Sequence, residues 1–292
     1  MQTGGFCDLG GIAMNIDSIN SSSLLTQSQK REQDHQIQNL FSALLTEAGR
    51  KGYASAEPVD NQQTLTKNIQ KTWDSWFTGE LGGRYTQVQN PDELKHTYGE
   101  ILVRAHNEGG YVDPKGFLQS LSHDELAVIQ KVQALASGIK VESLTEEGAL
   151  NLLLPPAAQV DLNQDGLTRS GLAYGMKFPD SNTPAAVVNA WEDATEDMSF
   201  RELAFAQLQV MLPKLTSNIV LDENGSFLHR YEPGDAGFKN PMAASDYSYI
   251  AAAKDQLAAL EYMKNELPAE QYERQKSFWS KFQQSLIENG AS

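Results

Sequence analysis

Three observations predict a mainly helical fold. Apolar residues recur at three- and four-residue spacing through most of the chain, and capping signals precede several of those stretches. Strand-like patterning is confined to one short region. The expectation is a multi-helix, bundle-like body with one small antiparallel β-hairpin at about 218–230.

The elements follow in order. Residues 1–27 are rich in Gly, Ser, Asn and Thr without periodicity, which predicts a disordered tail, with Met14 a second plausible start. From Gln29, the residues Ile37, Leu40, Phe41, Leu44, Leu45 and Ala48 fall on one helical face, and Gly52 follows as a stop. Leu65, Ile69, Trp73, Trp76 and Phe77 form a second apolar face, read as core because each tryptophan buries a large area. Asn90-Pro91-Asp92-Glu93 opens a third helix with a cap, a proline in the first turn and early acids. Ser122-His123-Asp124-Glu125 is a capping box, and Thr145-Glu146-Glu147 opens a short, leucine-rich helix.

Thr183-Pro184 starts a helix whose far end carries Glu192, Asp193, Glu196 and Asp197; acids there oppose the helix dipole. Ser199-Phe200-Arg201-Glu202 is another capping box. Asp222-Glu223-Asn224-Gly225 between two apolar runs reads as a hairpin turn rather than a second calcium loop, because the remaining ligand spacing is missing. An irregular loop at 232–244 precedes a helix capped by Ser245 and a last one opened by Pro268. The chain divides into a tail (1–27), an N-terminal helical half (28–158) and a C-terminal half (159–292), the two halves being compatible with one compact domain.

Composition narrows the partners. Lys and Arg total 23 against 38 Asp and Glu, a formal charge of −15, with no basic run to track a phosphate backbone. Nucleic acid is not an expected partner, whereas a protein partner is. No apolar run reaches the length of a membrane helix, so insertion is not expected. Cys7 is the single cysteine, which excludes an intramolecular disulfide framework and a cysteine-based zinc site. The absence of a secretory signal pattern predicts a cytoplasmic, bacterial-style address, with signal-less export as the alternative.

The segment Asp161-Leu162-Asn163-Gln164-Asp165-Gly166 carries oxygen side chains at alternate positions, then glycine. Asp161, Asn163 and Asp165 converge on one point only if the backbone curls tightly, and Gly166 tolerates the φ > 0 that the curl requires. This segment resembles the first half of an EF-hand calcium loop. The resemblance implies calcium as cofactor, with ligands from Asp161, Asn163, Asp165, the Leu167 carbonyl at position seven and Arg169 at position nine, where that family often ligates through water. Position twelve departs from the pattern, since Leu172 stands where the family places a bidentate glutamate. Asp180, Glu192, Asp193, Glu196 and Asp197 are candidates to replace it.

Catalytic signatures are thin. There is no His-Glu-x-x-His, Gly-x-Ser-x-Gly or phosphate-binding glycine loop, and His35, His96, His106, His123 and His229 show no ligand pairing. The leading expectation is therefore a non-enzymatic interaction or scaffold protein with a structural or regulatory calcium loop. Two alternatives stay open: a metal- or carboxylate-dependent hydrolase using acids near 180–197, and an exported bacterial factor with a polar N-terminal secretion tail.

Overall fold

The computed structural model describes residues 25–59 and 65–291. The greater part of the expected tail, with Cys7 and Met14, lies outside the described residues. Within them the chain is mainly helical, and no helix among them is long and apolar enough to cross a membrane.

The first six helices are α1 (Gln27–Glu47), α2 (Leu65–Gly79), α3 (Pro91–Asn107), α4 (Pro114–Ser120), α5 (His123–Val132) and α6 (Glu146–Leu152). Helix α1 begins two residues before the expected Gln29, because the Thr26 side chain and Gln29 form a reciprocal capping box. Ser122 and Glu125 do the same for α5. These helices bury one apolar cluster from Ile37 to Val160. At its centre Trp73 is fully buried, stacks on Trp76 at 5.8 Å and leans on Tyr98 at 4.8 Å, so the clustered tryptophans of α2 are packing residues.

A second cluster runs from Phe178 to Leu286. It is built by α7 (Ala185–Ala194), α8 (Phe200–Val210), α10 (Tyr249–Tyr262) and α11 (Ala269–Glu288), with the short α9 (Leu212–Thr216) beside them. Trp191 stands edge-on to Phe282 at 6.1 Å, and Phe278 stacks on Phe282 at 5.7 Å. Ser248, rather than Ser245, caps α10: its hydroxyl accepts the Ala251 amide, while Pro241–Ala243 form a separate 3-10 turn.

Two antiparallel hairpins are present where one was expected. Between α6 and α7 lie β1 (Thr168–Ser170) and β2 (Ala173–Gly175), and β3 (Ile219–Leu221) pairs with β4 (Phe227–Arg230). The second of these is the expected hairpin, its turn held by Asp222 Oδ1, which accepts the Asn224 and Ser226 amides. The first is too short and too polar to show alternation in the sequence. Its turn is instead set by Gly171 at φ +64°, whose amide donates to the Gly148 carbonyl of α6 at 2.9 Å. A Cβ at Gly148 would meet the Gly171 oxygen at 2.3 Å, so this docking needs glycine at 148.

Helix α1 also belongs to the seam between the clusters. Arg31 donates to the carbonyls of Glu192 and Thr195 and to the Thr195 hydroxyl, placing a cation on the last turn of α7. That cation answers the acids at the C-terminal end of α7, which alone would oppose its dipole.

Phe282→Ala should lower the unfolding free energy by about 3–5 kcal/mol in denaturant titration, because it empties the centre of the second cluster. Phe200→Ala, at a residue 88% exposed, should change it by less than about 0.5 kcal/mol.

Candidate metal centre

Residues 161–167 form a tight loop that joins the two clusters. Gln164 at φ +59° and Gly166 at φ +85° give the curl, the first being a non-glycine residue in the left-handed region. A Cβ at Gly166 would meet the Asn240 side chain at 3.1 Å and Lys214 Cδ at 3.2 Å, so residues of the C-terminal half lie directly against the turn. Asn240 Nδ2 donates to the Gln164 carbonyl at 3.0 Å.

Asp161 is buried at 3% exposure. Its amide donates to Ser181 Oγ, its carbonyl accepts Asn182 Nδ2, and its Oδ2 accepts the Gly166 amide at 2.8 Å. Its Oδ1 is buried and has no hydrogen-bond partner among the described residues. Burial first, and then the nearby carboxylates of Glu147, Asp165 and Asp180, push the Asp161 carboxyl up to about 6 against the stabilising Gly166 amide.

The other predicted residues are placed differently from one another. Asn163 turns toward Asp165, its Oδ1 accepting the Asp165 amide at 3.1 Å and its Nδ2 donating to Asp165 Oδ2 at 3.1 Å. Asp165 Oδ1 accepts the amide of buried Leu167 at 2.9 Å. Arg169 does not present an oxygen: its guanidinium reaches back and pairs with Asp165 Oδ2 at 2.7 Å, which holds the guanidinium in its charged form. Leu172, at position twelve, is 66% exposed in the β1–β2 turn and cannot serve the loop.

The downstream acids do not replace position twelve. Asp180 is near enough to raise the Asp161 carboxyl but is tied to buried Lys214 at 2.5 Å. Glu192 pairs with His35 and Asp193 meets Asn289, while Glu196 and Asp197 are exposed. The carboxylate at the loop comes from upstream instead. Glu147, buried on the first turn of α6, accepts the Leu162 amide on one oxygen at 3.0 Å and the Arg169 amide on the other at 2.8 Å. One turn later Asn151, fully buried, accepts the Val160 amide and donates to the carbonyls of Val160 and Arg169. The only sign of this in the sequence is a lone asparagine inside the run Ala149–Leu154, four positions after an acid.

As a cation site the loop has one buried, unpartnered carboxylate oxygen and neighbouring donors of the hard-oxygen type that calcium takes. Asp161 would supply the inner oxygen, Asp165, Asn163 and the Leu167 carbonyl the outer ones. Among the described residues no three His, Cys, Asp or Glu side chains close on a single point as they stand, and the Arg169 guanidinium lies on Asp165.

A cavity of about 300 Å³ opens on the seam nearby, lined by Asp34, His35, Tyr53, Lys177, Trp191 and Glu192 among others. His35 Nε2 lies 2.8 Å from Glu192 Oε1, and that hydrogen bond raises its affinity for a proton. Asp34 accepts Trp76 Nε1 on Oδ1 at 2.7 Å, and burial pushes its carboxyl upward. Lys177 Nζ donates to the Tyr53 hydroxyl at 2.5 Å. The members of this group are scattered over 159 positions, from Asp34 to Glu192, and only the fold brings them together; of them the sequence singled out Glu192 alone as a candidate acid.

Comparison of the chain with family models, curated proteins and solved structures finds no match.

Two outcomes follow from this geometry. Asn151→Ala orphans the Val160 amide and two carbonyls at once and should cost about 3 kcal/mol in chemical denaturation. Asp161 has a folded value near 6 against an ordinary 3.8, so the folded state keeps a proton that the unfolded chain has lost between those values. In calcium-free buffer this contribution to stability is full below about pH 4 and disappears as pH rises through 6. The decline of the melting temperature over that window should be shallower in Asp161→Asn than in the parent protein.

Proposed function

We propose that the chain is an interaction or scaffold protein in which calcium, held by Asp161, Asn163, Asp165 and the Leu167 carbonyl, fixes the junction between its two helical halves. The observation that carries this reading is the buried Asp161 Oδ1, which has no partner among the described residues. An ionised carboxylate oxygen left in that state costs free energy that a bound cation would recover. The position of the loop supports the same reading. One side is sewn to α6 through Glu147 and Asn151, and the other rests on Asn240, Ser181 and Asn182. The ion would stiffen a joint and bond no reacting group.

A second reading is supported by the seam cavity. Asp34, biased to keep its proton, stands next in sequence to a histidine oriented by Glu192, which are the elements of acid–base hydrolysis. On that reading the protein turns over chromogenic ester or glycoside substrates, and both Asp34→Asn and Glu192→Gln abolish the turnover.

The calcium reading is tested by the melting temperature of chelator-treated protein with and without added calcium. At a hundredfold excess over Kd the ion should add about 2.7 kcal/mol and raise the midpoint by several degrees. The rise should vanish in Asp161→Ala. It should also be larger at pH 7.5 than at pH 5, because calcium needs Asp161 ionised. An unchanged midpoint at pH 7.5 reduces 161–166 to a structural turn.

A further inference from the structure

We propose that Arg169 is a built-in counter-cation of the loop, a gate that leaves Asp165 for Glu147 when calcium loads. This rests on the calcium reading and names the regulation of that same site.

The guanidinium sits between two acids. Its Nη2 is 2.7 Å from Asp165 Oδ2 and its Nη1 is 4.0 Å from Glu147 Oε1. It therefore occupies the space a cation shared by these carboxylates would need. Its seat is incomplete, since Nη1 is buried and makes no hydrogen bond among the described residues. A short swing toward Glu147 would pair that nitrogen and release Asp165 Oδ2 from the guanidinium, leaving it only the neutral Asn163 amide as a partner.

Only the side chain has to move. The Arg169 amide is held by Glu147 Oε1 at 2.8 Å and its carbonyl by Asn151 Nδ2 at 2.6 Å, so the backbone stays where α6 holds it. Glu147 is then a positioning residue with two tasks. It holds both flanks of the loop through the Leu162 and Arg169 amides, and it offers the alternative seat for the guanidinium. The arrangement also explains why the ninth position carries a cation: without it, Glu147, Asp161 and Asp165 would face one another unscreened in a buried site.

The test is calorimetric titration of calcium chloride into the chelator-treated full chain and its Arg169→Gln variant, with melting temperatures of both. The gate predicts that Arg169→Gln binds calcium about tenfold more tightly, melts lower without calcium, and gains more from it. Arg169→Lys retains the charge without the two-pronged fork and should bind with an affinity between the two. It carries the test if Arg169→Gln fails to fold without the ion. Equal affinities in parent and variants overturn the gate and leave the calcium reading intact. Binding by Arg169→Gln but not by the parent means that the gate stays closed in the native chain, which supports the displacement and removes calcium as a native ligand. No binding by any of the three proteins overturns both.

Discussion

Glu147 and Asn151 stand one turn apart on α6 and between them hold the Val160 backbone, the Leu162 amide, and the amide and carbonyl of Arg169. These are the two flanks of the segment that passes from the first apolar cluster to the second. A backbone buried in such a crossing must be hydrogen-bonded, and the short β1–β2 hairpin leaves these groups for side chains to hold. Two side chains take that task. The loop between the flanks curls so that Asn163 pairs with Asp165 and Asp161 accepts the Gly166 amide, with Gly166 relieving the turn.

The same need recurs one layer deeper. At the C-terminal end of α6, the carbonyls of Leu152 and Leu154 accept the Tyr98 hydroxyl, and the Leu154 carbonyl also accepts Gln133 Nε2 at 2.8 Å. Gln159 Nε2 in turn donates to Gln133 Oε1 at 2.8 Å. The polar groups around the leucine-rich α6 thus form a satisfied network inside an apolar cluster, which specifies one placement for the helix and therefore for the loop it carries. On the far side, the buried Lys214–Asp180 pair and the Arg31 contacts to α7 fix the second half against the seam.

The electrostatics of the loop follow from this geometry rather than from the motif alone. The motif places acids at alternate positions, but burial and the arrival of Glu147 and Asp180 from other segments raise the proton affinity of Asp161. Arg169 is the compensating charge within the loop itself. An acid-rich turn in solvent would show neither effect, because water would screen its carboxylates.

Local pattern was sufficient for much of the architecture. Helical spacing, the capping boxes at Ser122 and Ser199 and the Asp222–Gly225 turn are short-range physics, settled within a few residues, and they specified the fold class and the 218–230 hairpin. The loop motif at 161–166 was legible for the same reason. Its surroundings were not. Glu147 precedes the loop, whereas an EF-hand resemblance directs attention downstream; the β1–β2 hairpin depends on contact between Gly171 and α6; and His35 meets Glu192 only because α1 crosses the seam. By itself the sequence determined the longer helices and the acid-rich turn at 161–166, since backbone conformation there is decided by neighbours along the chain. Tertiary structure alone decided which charges share the loop, because burial and Coulomb energy depend on distances between segments that spacing does not encode.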